Sequence, residues 1–252
     1  MVYLRELMRH FDDVVLITNM RKIKNISVVS ESVTHVMLVK NEGYDMGMFY
    51  KGFQKYYTNE YSQIACVNDS NIVFNNLDFL FEWAKIQEVD IWGIVDSHEK
   101  PWFSEHKNNY HIQSHFIVFN ERAIALLPSF FEQVDMKKIM EETDNKKLRR
   151  HVINDWEIGL TQFMLAKKMA CSAIIDSTKF GRGNPMHKHY NELINNGLPV
   201  IKKRITRDQK LLEKLFKKHN WQVLIEKHGN KDWPLREMIE QLQEMQALNR
   251  SK

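Results

Sequence analysis

Asp69 follows Gln63, Ile64, Ala65, Cys66 and Val67, a run of small and branched residues, so its carboxylate is expected at the exit of a strand, between Asn68 and Ser70. A protein that handles a nucleoside diphosphate must offset several negative charges, with a divalent cation held by carboxylates or with positively charged donors. Asp69 is suited to the first arrangement; the plainer alternative is an Asx-turn that closes the strand. Residues 41–47 follow another strand, and there Gly43 and Gly47 flank Asp45. Two glycines let the backbone approach a ligand closely, with Asp45 free to bond a ribose or sugar hydroxyl. The spacing is not the dinucleotide fingerprint, and no helix cap is expected after it. Glu157 has two readings. With Asn154 three residues before it, it completes a capping box at a helix start; alternatively Asp155 or Glu157 is a general base that deprotonates a hydroxyl.

Asp96, Ser97, His98 and Glu99 on one side, and Tyr110, His111, Gln113, Ser114 and His115 on the other, bracket a loop at 97–109 long enough to act as a lid. Asp96, Ser97, His111, Gln113 and Ser114 are suited to sugar hydroxyls, and the histidines read first as hydrogen-bonding groups. His187 and His189, separated by Lys188, can put one imidazole on a metal if the segment is extended, but a single such pair is not specific. Cys66 and Cys171 lie in apolar runs and read as small buried thiols, with neither a disulfide nor a zinc site implied.

The elements that must position these residues are short β-like runs separated by enough chain for helices, the pattern of an α/β layered domain. Strands are expected at 14–18, 36–39, 63–67, 91–95 and 115–119, the first four forming neighbours in one largely parallel sheet. Each of these four ends in polar residues, Thr18 and Asn19 at the first, and ligands bind outside the carboxyl ends of strands in such sheets. Leu77, Leu80, Phe81 and Ala84 mark a crossover helix, capped from Asn75, Asn76 or Asp78. Leu160, Phe163, Met164 and Leu165 mark another, expected to start at Asn154. Two further helices are expected at 208–218 and 234–248, and flexible pieces at 97–109 and 144–150.

With 252 residues, 43% hydrophobic and 27% charged, the chain is the size of one large domain, and no apolar stretch approaches a membrane span. The amino terminus reads as neither a secretory signal nor a transit peptide, so a cytoplasmic location is expected. The net charge of +4 is mild, but basic residues crowd 202–218, Lys202, Lys203, Lys210, Lys214, Lys217 and Lys218 among them. Such a run is usually a solvated helix face; its functional alternative is peripheral contact with the inner face of an anionic membrane or a lipid-linked acceptor. No nucleic-acid partner is expected.

Taken in order, residues 14–19, 41–47, 67–70, 90–97, 110–119, 156–160 and 184–202 resemble the rhamnan synthesis F family of bacterial polysaccharide glycosyltransferases. The most specific blocks are Trp92-Gly93-x-x-Asp96-Ser97 and His111-x-Gln113-Ser114-x-Phe116-x-Val118-Phe119. The resemblance implies a GT-A-like, Rossmann-type α/β fold, expected over 1–207; the basic helical extension expected at 208–252 is not explained by it. It implies a nucleotide-sugar donor, of the UDP or dTDP type, bound near Thr18, Asn19, Gly43, Asp45, Gly47, Asn68, Asp69 and Ser70. The acceptor is a glycan or a lipid-linked glycan. Asp69 takes the place of the family's short acidic motif, which is reduced here to Asn68-Asp69, so a manganese or magnesium shell requires His187 or another group to complete it. Two rival functions stand beside this one: a metal-dependent phosphodiesterase or nuclease using Asp69, Asp96, His187 and His189, and a sugar-binding protein without turnover.

Overall fold

The computed structural model describes residues 2–19, 29–207 and 221–250. The expected helix at 208–218, with Lys210, Lys214, Lys217 and Lys218, lies outside them. The chain is a mixed α/β protein that divides into two compact units, Met1–Asn68 with Ala84–Lys179, and Asp69–Trp83 with Phe180–Lys252. The strands in chain order are β1 (Val15–Thr18), β2 (His35–Leu38), β3 (Gln63–Val67), β4 (Asn71–Val73), β5 (Ile91–Ser97), β6 (His111–Ile112), β7 (Phe116–Asn120), β8 (Cys171–Ile175) and β9 (Val200–Lys202).

In the first unit, all five strands expected from the apolar runs form, within a residue or two of their expected limits. Their arrangement is not the expected one. β1 and β2 make a parallel pair of their own, while β3 and β5 belong to a second sheet ordered β3-β7-β5-β6, with β8 beside β5. Only the β5–β8 pairing in that sheet is parallel; β7 runs antiparallel between β3 and β5, and β6 is antiparallel to β5. The expectation of one largely parallel sheet is therefore corrected. A hydrophobic run shows that a strand exists but says nothing of which neighbour satisfies its N–H and C=O groups. β3, β5 and β8 still point the same way, because each change of sense at β7 is reversed by the next, so their carboxyl ends share one edge.

β6 and β7 run along one side of β5 with a break between them. Gly93 pairs with Ile117 and Asp96 with Ile112, so Ile94 and Val95 lie opposite four residues, 113–116. This is a β-bulge with two extra residues, which turns side chains out of the pleat. It is held by the Gln113 N–H donating to the Val95 carbonyl at 3.0 Å. Gly93 makes room for it: a Cβ there would lie 2.3 Å from Ile112 Cγ2 and 2.6 Å from the Phe116 carbonyl oxygen.

The helical stretch from Asn145 to Ala166 covers this sheet. It starts at Asp144, whose carboxylate accepts the N–H groups of Lys146 and Lys147 at 2.8 and 3.2 Å. Residues expected as a flexible piece at 144–150 are thus its first turns. Val152–Ile158 widens into a π-helical turn, and Gly159–Ala166 returns to α geometry. No helix starts at Asn154, and the capping-box reading of Glu157 is corrected: both residues lie inside a continuing helix, where the N–H groups a cap would serve are already bonded. Leu148, Val152, Trp156 and Leu160 recur every fourth residue and are buried in the core with Phe130, Phe131, Ile117 and Phe119.

The second unit is built on the antiparallel β4–β9 pair. Ile72, Phe74 and Ile201 pack with Trp221, Ile225, Leu235 and Ile239 from the helices Trp221–His228 and Leu235–Arg250. Leu235 and Ile239 face inward as the spacing of the carboxy-terminal helix predicts.

Two outcomes are expected. Gly93→Ala should lower stability by about 2–3 kcal/mol, because a backbone carbonyl cannot yield as a side chain can; a denaturant midpoint shifted at constant slope would show it, and an unmoved midpoint would mean the bulge does not press on β5. The Asp144 carboxyl is held below its ordinary range by the N–H groups of Lys147 and Lys146. Its folded value lies under its unfolded one, so its contribution is present above the usual carboxylate range and is lost as pH falls through the depressed value. The gap in thermal midpoint between wild type and Asp144→Ala should therefore close in acid, and a gap that persists there would argue against the cap.

Candidate functional site

The two irregular segments of the first unit meet. Ser114, buried in the β-bulge, donates its hydroxyl to Glu157 Oε1 at 2.7 Å from inside the π-helical turn. Four residues on, the Thr161 hydroxyl accepts the Ile112 N–H at 3.2 Å, fixing β6 to the same helix. Glu157 is half-buried, and among the described residues it forms no ion pair. Asp155 differs: its carboxylate accepts Asn154 Nδ2 at 2.8 Å and stands 3.6 Å from His151 Nδ1. Of the two candidate bases, Glu157 is the carboxylate without a nitrogen partner.

Asn68 extends the cluster from the end of β3. Its N–H donates to the carbonyl of His115, next to Ser114, at 3.2 Å, and its side-chain amide donates to Asp45 Oδ2 at 2.6 Å. Asp45 and Asn68 are thereby joined to the segment that carries Ser114 through the His115 backbone, and Ser114 in turn to Glu157. Asp45 lies in the first turn of a helix, Tyr44–Tyr56, which the sequence reading did not expect; Met46, Phe49, Tyr50, Phe53 and Tyr57 were the periodic signal for it. Gly43 precedes this helix at φ 72°, and a Cβ on Gly47 would lie 1.8 Å from the Glu42 carbonyl oxygen, so both glycines are required by this tight helix entry. Glu42 is fixed beside them by Lys40 and Lys51, which hold its carboxyl down to about 2.

The other expected residues of this unit are placed as follows. Thr18 ends β1, its carbonyl accepting the Val39 N–H at 2.9 Å, and Asn19 follows it. Asp96 is buried and accepts the Ser177 N–H at 2.7 Å, and the Ser97 hydroxyl accepts the Glu99 N–H at 3.2 Å. His111 is buried, with Nδ1 2.7 Å from the Asn109 carbonyl; a carbonyl only accepts, so Nδ1 carries the proton. Burial drives the Tyr110 phenol well above its ordinary pKa, with the charges of Asp96 and Asp176 adding to it. These groups tie down the ends of the loop at 97–109.

Asp69 and Ser70 belong to the second unit. Asp69 is exposed and bonded to Lys203 Nζ at 2.7 Å; Ser70 Oγ lies 3.3 Å from Lys202 Nζ. Lys202 is 7% exposed and ends β9, so it is not part of a solvated helix face as the basic run suggested. Sequence reasoning missed that these two lysines return to Asp69 and Ser70, because the β4–β9 pairing that brings them there is long-range. His187 lies in the helical turn Pro185–Lys188, with His189 just after it, so the extended geometry that the pair required is absent. Among the described residues no group of three or more His, Cys, Asp or Glu side chains gathers to hold a metal ion. With Lys203 balancing Asp69, these side chains do not make a protein-built cation shell.

The chain belongs to the rhamnan synthesis protein F family, whose model matches residues 14–248. That membership gives it a role in rhamnan polysaccharide synthesis, as a biosynthetic enzyme. Comparison with curated proteins and with solved structures finds no match. Among the described residues no helix is long and apolar enough to cross a membrane.

Burial pushes the thiols of Cys66, in β3, and Cys171, in β8, up to about 12. At pH 8 only about one such thiol in ten thousand is ionised, so alkylation of the native protein should be slow and should become fast on unfolding. Rapid labelling of the native protein would show that these strands are open.

Proposed function

We propose that the protein is a GT-A-like glycosyltransferase that moves a sugar, rhamnose or a related hexose, from a UDP- or dTDP-sugar to a hydroxyl of a glycan or lipid-linked acceptor during rhamnan synthesis. The family membership supports the pathway, and the hydrogen bond that fixes Glu157 to Ser114 supports the chemistry. Glu157 is the general base: it takes the acceptor hydroxyl proton, the oxygen attacks the anomeric carbon, and the bond to the diphosphate breaks with its electron pair leaving on the nucleotide. Attack from the face opposite the leaving group inverts the anomeric centre. The Ser114 hydrogen bond fixes the carboxylate without removing its charge, and Asp45 with Asn68 offers hydroxyl-binding groups to the donor.

Lys202 and Lys203, held by Ser70 and Asp69, have a separate proposed role as positive donors to phosphate, in place of a protein-held cation. The basic segment 202–218 has a further proposed role in peripheral contact with an anionic membrane.

Replacing Glu157 by Gln keeps the hydrogen bond from Ser114 and removes the basicity. Transfer should fall by about 10²–10⁴-fold, while the thermal shift induced by dTDP- and UDP-sugars, with and without manganese, stays as in wild type. Full transfer activity in Glu157→Gln would remove the residue from the chemistry. Lys203→Ala should weaken pyrophosphate binding, and unchanged affinity would return this cluster to a structural role.

A further inference from the structure

Trp102 is 80% exposed, whereas Trp92, Trp156 and Trp221 are fully buried and Trp83 and Trp233 are partly covered. An indole left in water forgoes the burial that stabilises the others, so core packing does not account for it. Nor is the ring loosely held. The Arg150 guanidinium lies over it, 4.6 Å from the ring centroid, and Phe103 meets it edge-on at 5.7 Å. The degree of exposure leaves the second face of the indole open.

The loop carrying Trp102 is fixed from within and from the helix. The Ser104 N–H donates to the Pro101 carbonyl at 2.9 Å and Asn109 Nδ2 to the His106 carbonyl at 3.0 Å. Asn154 then accepts twice: its side-chain oxygen takes the Glu105 N–H at 3.1 Å, and its carbonyl lies 2.9 Å from His106 Nε2. That carbonyl also accepts the Gly159 N–H, and a Cβ on Gly159 would stand 2.9 Å from it. The π-helical turn that bears Glu157 is thus the anchor of the Trp102 loop.

The charges of the loop and of the helix that bears Arg150 are mixed. Glu99 and Glu105 offset Lys100 and Lys107 in the loop, and Glu141, Glu142 and Asp144 stand against Lys146, Lys147, Arg149 and Arg150 in and before the helix Asn145–His151. An anionic membrane calls for a cluster of one sign. A neutral, polyhydroxylated ligand uses donors and acceptors together, arranged around an apolar face. Rhamnose, a 6-deoxyhexose, presents ring C–H groups and a methyl group that suit an indole, and the guanidinium edge of Arg150 supplies donors for its hydroxyls.

We propose that Trp102, backed by Arg150, is the stacking platform for a rhamnose unit of the acceptor glycan. The proposal rests on the reading of the protein as a glycan-extending enzyme, but its test does not depend on turnover. Tryptophan fluorescence is titrated with rhamnose oligosaccharides, and separately with phosphatidylglycerol–phosphatidylethanolamine vesicles, for wild type, Trp102→Phe and Trp102→Ala. In wild type the oligosaccharide should perturb the emission of the single exposed tryptophan. By calorimetry, Trp102→Ala should lose at least tenfold in oligosaccharide affinity and Trp102→Phe should retain most of it, with nucleotide-sugar thermal shifts unchanged in both. Equal oligosaccharide affinity in wild type and Trp102→Ala overturns the proposal. So does a Trp102→Ala defect confined to vesicles, which would make the ring a membrane anchor. Loss of nucleotide-sugar binding by wild type itself, with the oligosaccharide response intact, would instead count against the transfer reading and leave the platform standing.

Discussion

The close approach of β6 and β7 to Gly93 is the constraint on which the first unit depends. A side chain at that position would collide with Ile112 and with the Phe116 carbonyl, so only glycine lets four residues be accommodated opposite Ile94 and Val95. Without the bulge, residues 113–115 would continue the pleat and the alternation of the strand would set the direction of Ser114. With it, Ser114 reaches the helix, and the His115 carbonyl reaches the N–H of Asn68 at the end of β3.

A second irregularity answers the first. Residues 152–158 depart from α geometry within a helix that is otherwise continuous, and π-helical turns of this kind recur at functional sites because they redirect side chains at some cost in hydrogen-bond geometry. Here the turn is stabilised by burial of Trp156 against Phe130 and Phe131, and by the contacts of Asn154 with the 97–109 loop. The Ser114–Glu157 hydrogen bond joins the two segments, which gives the carboxylate a fixed place.

Much of this was legible from residue types. The apolar runs gave the strands, and the Trp92-Gly93 and Gln113-Ser114 blocks singled out in the sequence turn out to be the two sides of the bulge. Strand order was not legible, because the insertion of β7 between β3 and β5 is decided by long-range pairing rather than by local pattern. The Asn154–Glu157 spacing imitated a helix start, although Leu148, Val152 and Trp156 already carried the helical period through it. The exposed lysines and arginines of 146–150 hid that period by resembling a solvated loop. In the second unit, Lys202 was read with a surface run, while its partner Ser70 is 132 residues away in sequence.

The family places this fold in rhamnan synthesis, and the two irregular segments meet at the Ser114–Glu157 hydrogen bond, where the proposed reaction puts its base. Whether Ser114 and Glu157 act as one unit is measured by a double-mutant cycle on the transfer rate, using Ser114→Ala, Glu157→Gln and their combination. If the hydroxyl works only by fixing the carboxylate, the double variant should be no slower than Glu157→Gln alone, a coupling energy equal to the whole effect of Ser114→Ala. Losses that multiply, as they do at independent sites, would contradict the assignment of these two residues to one catalytic device.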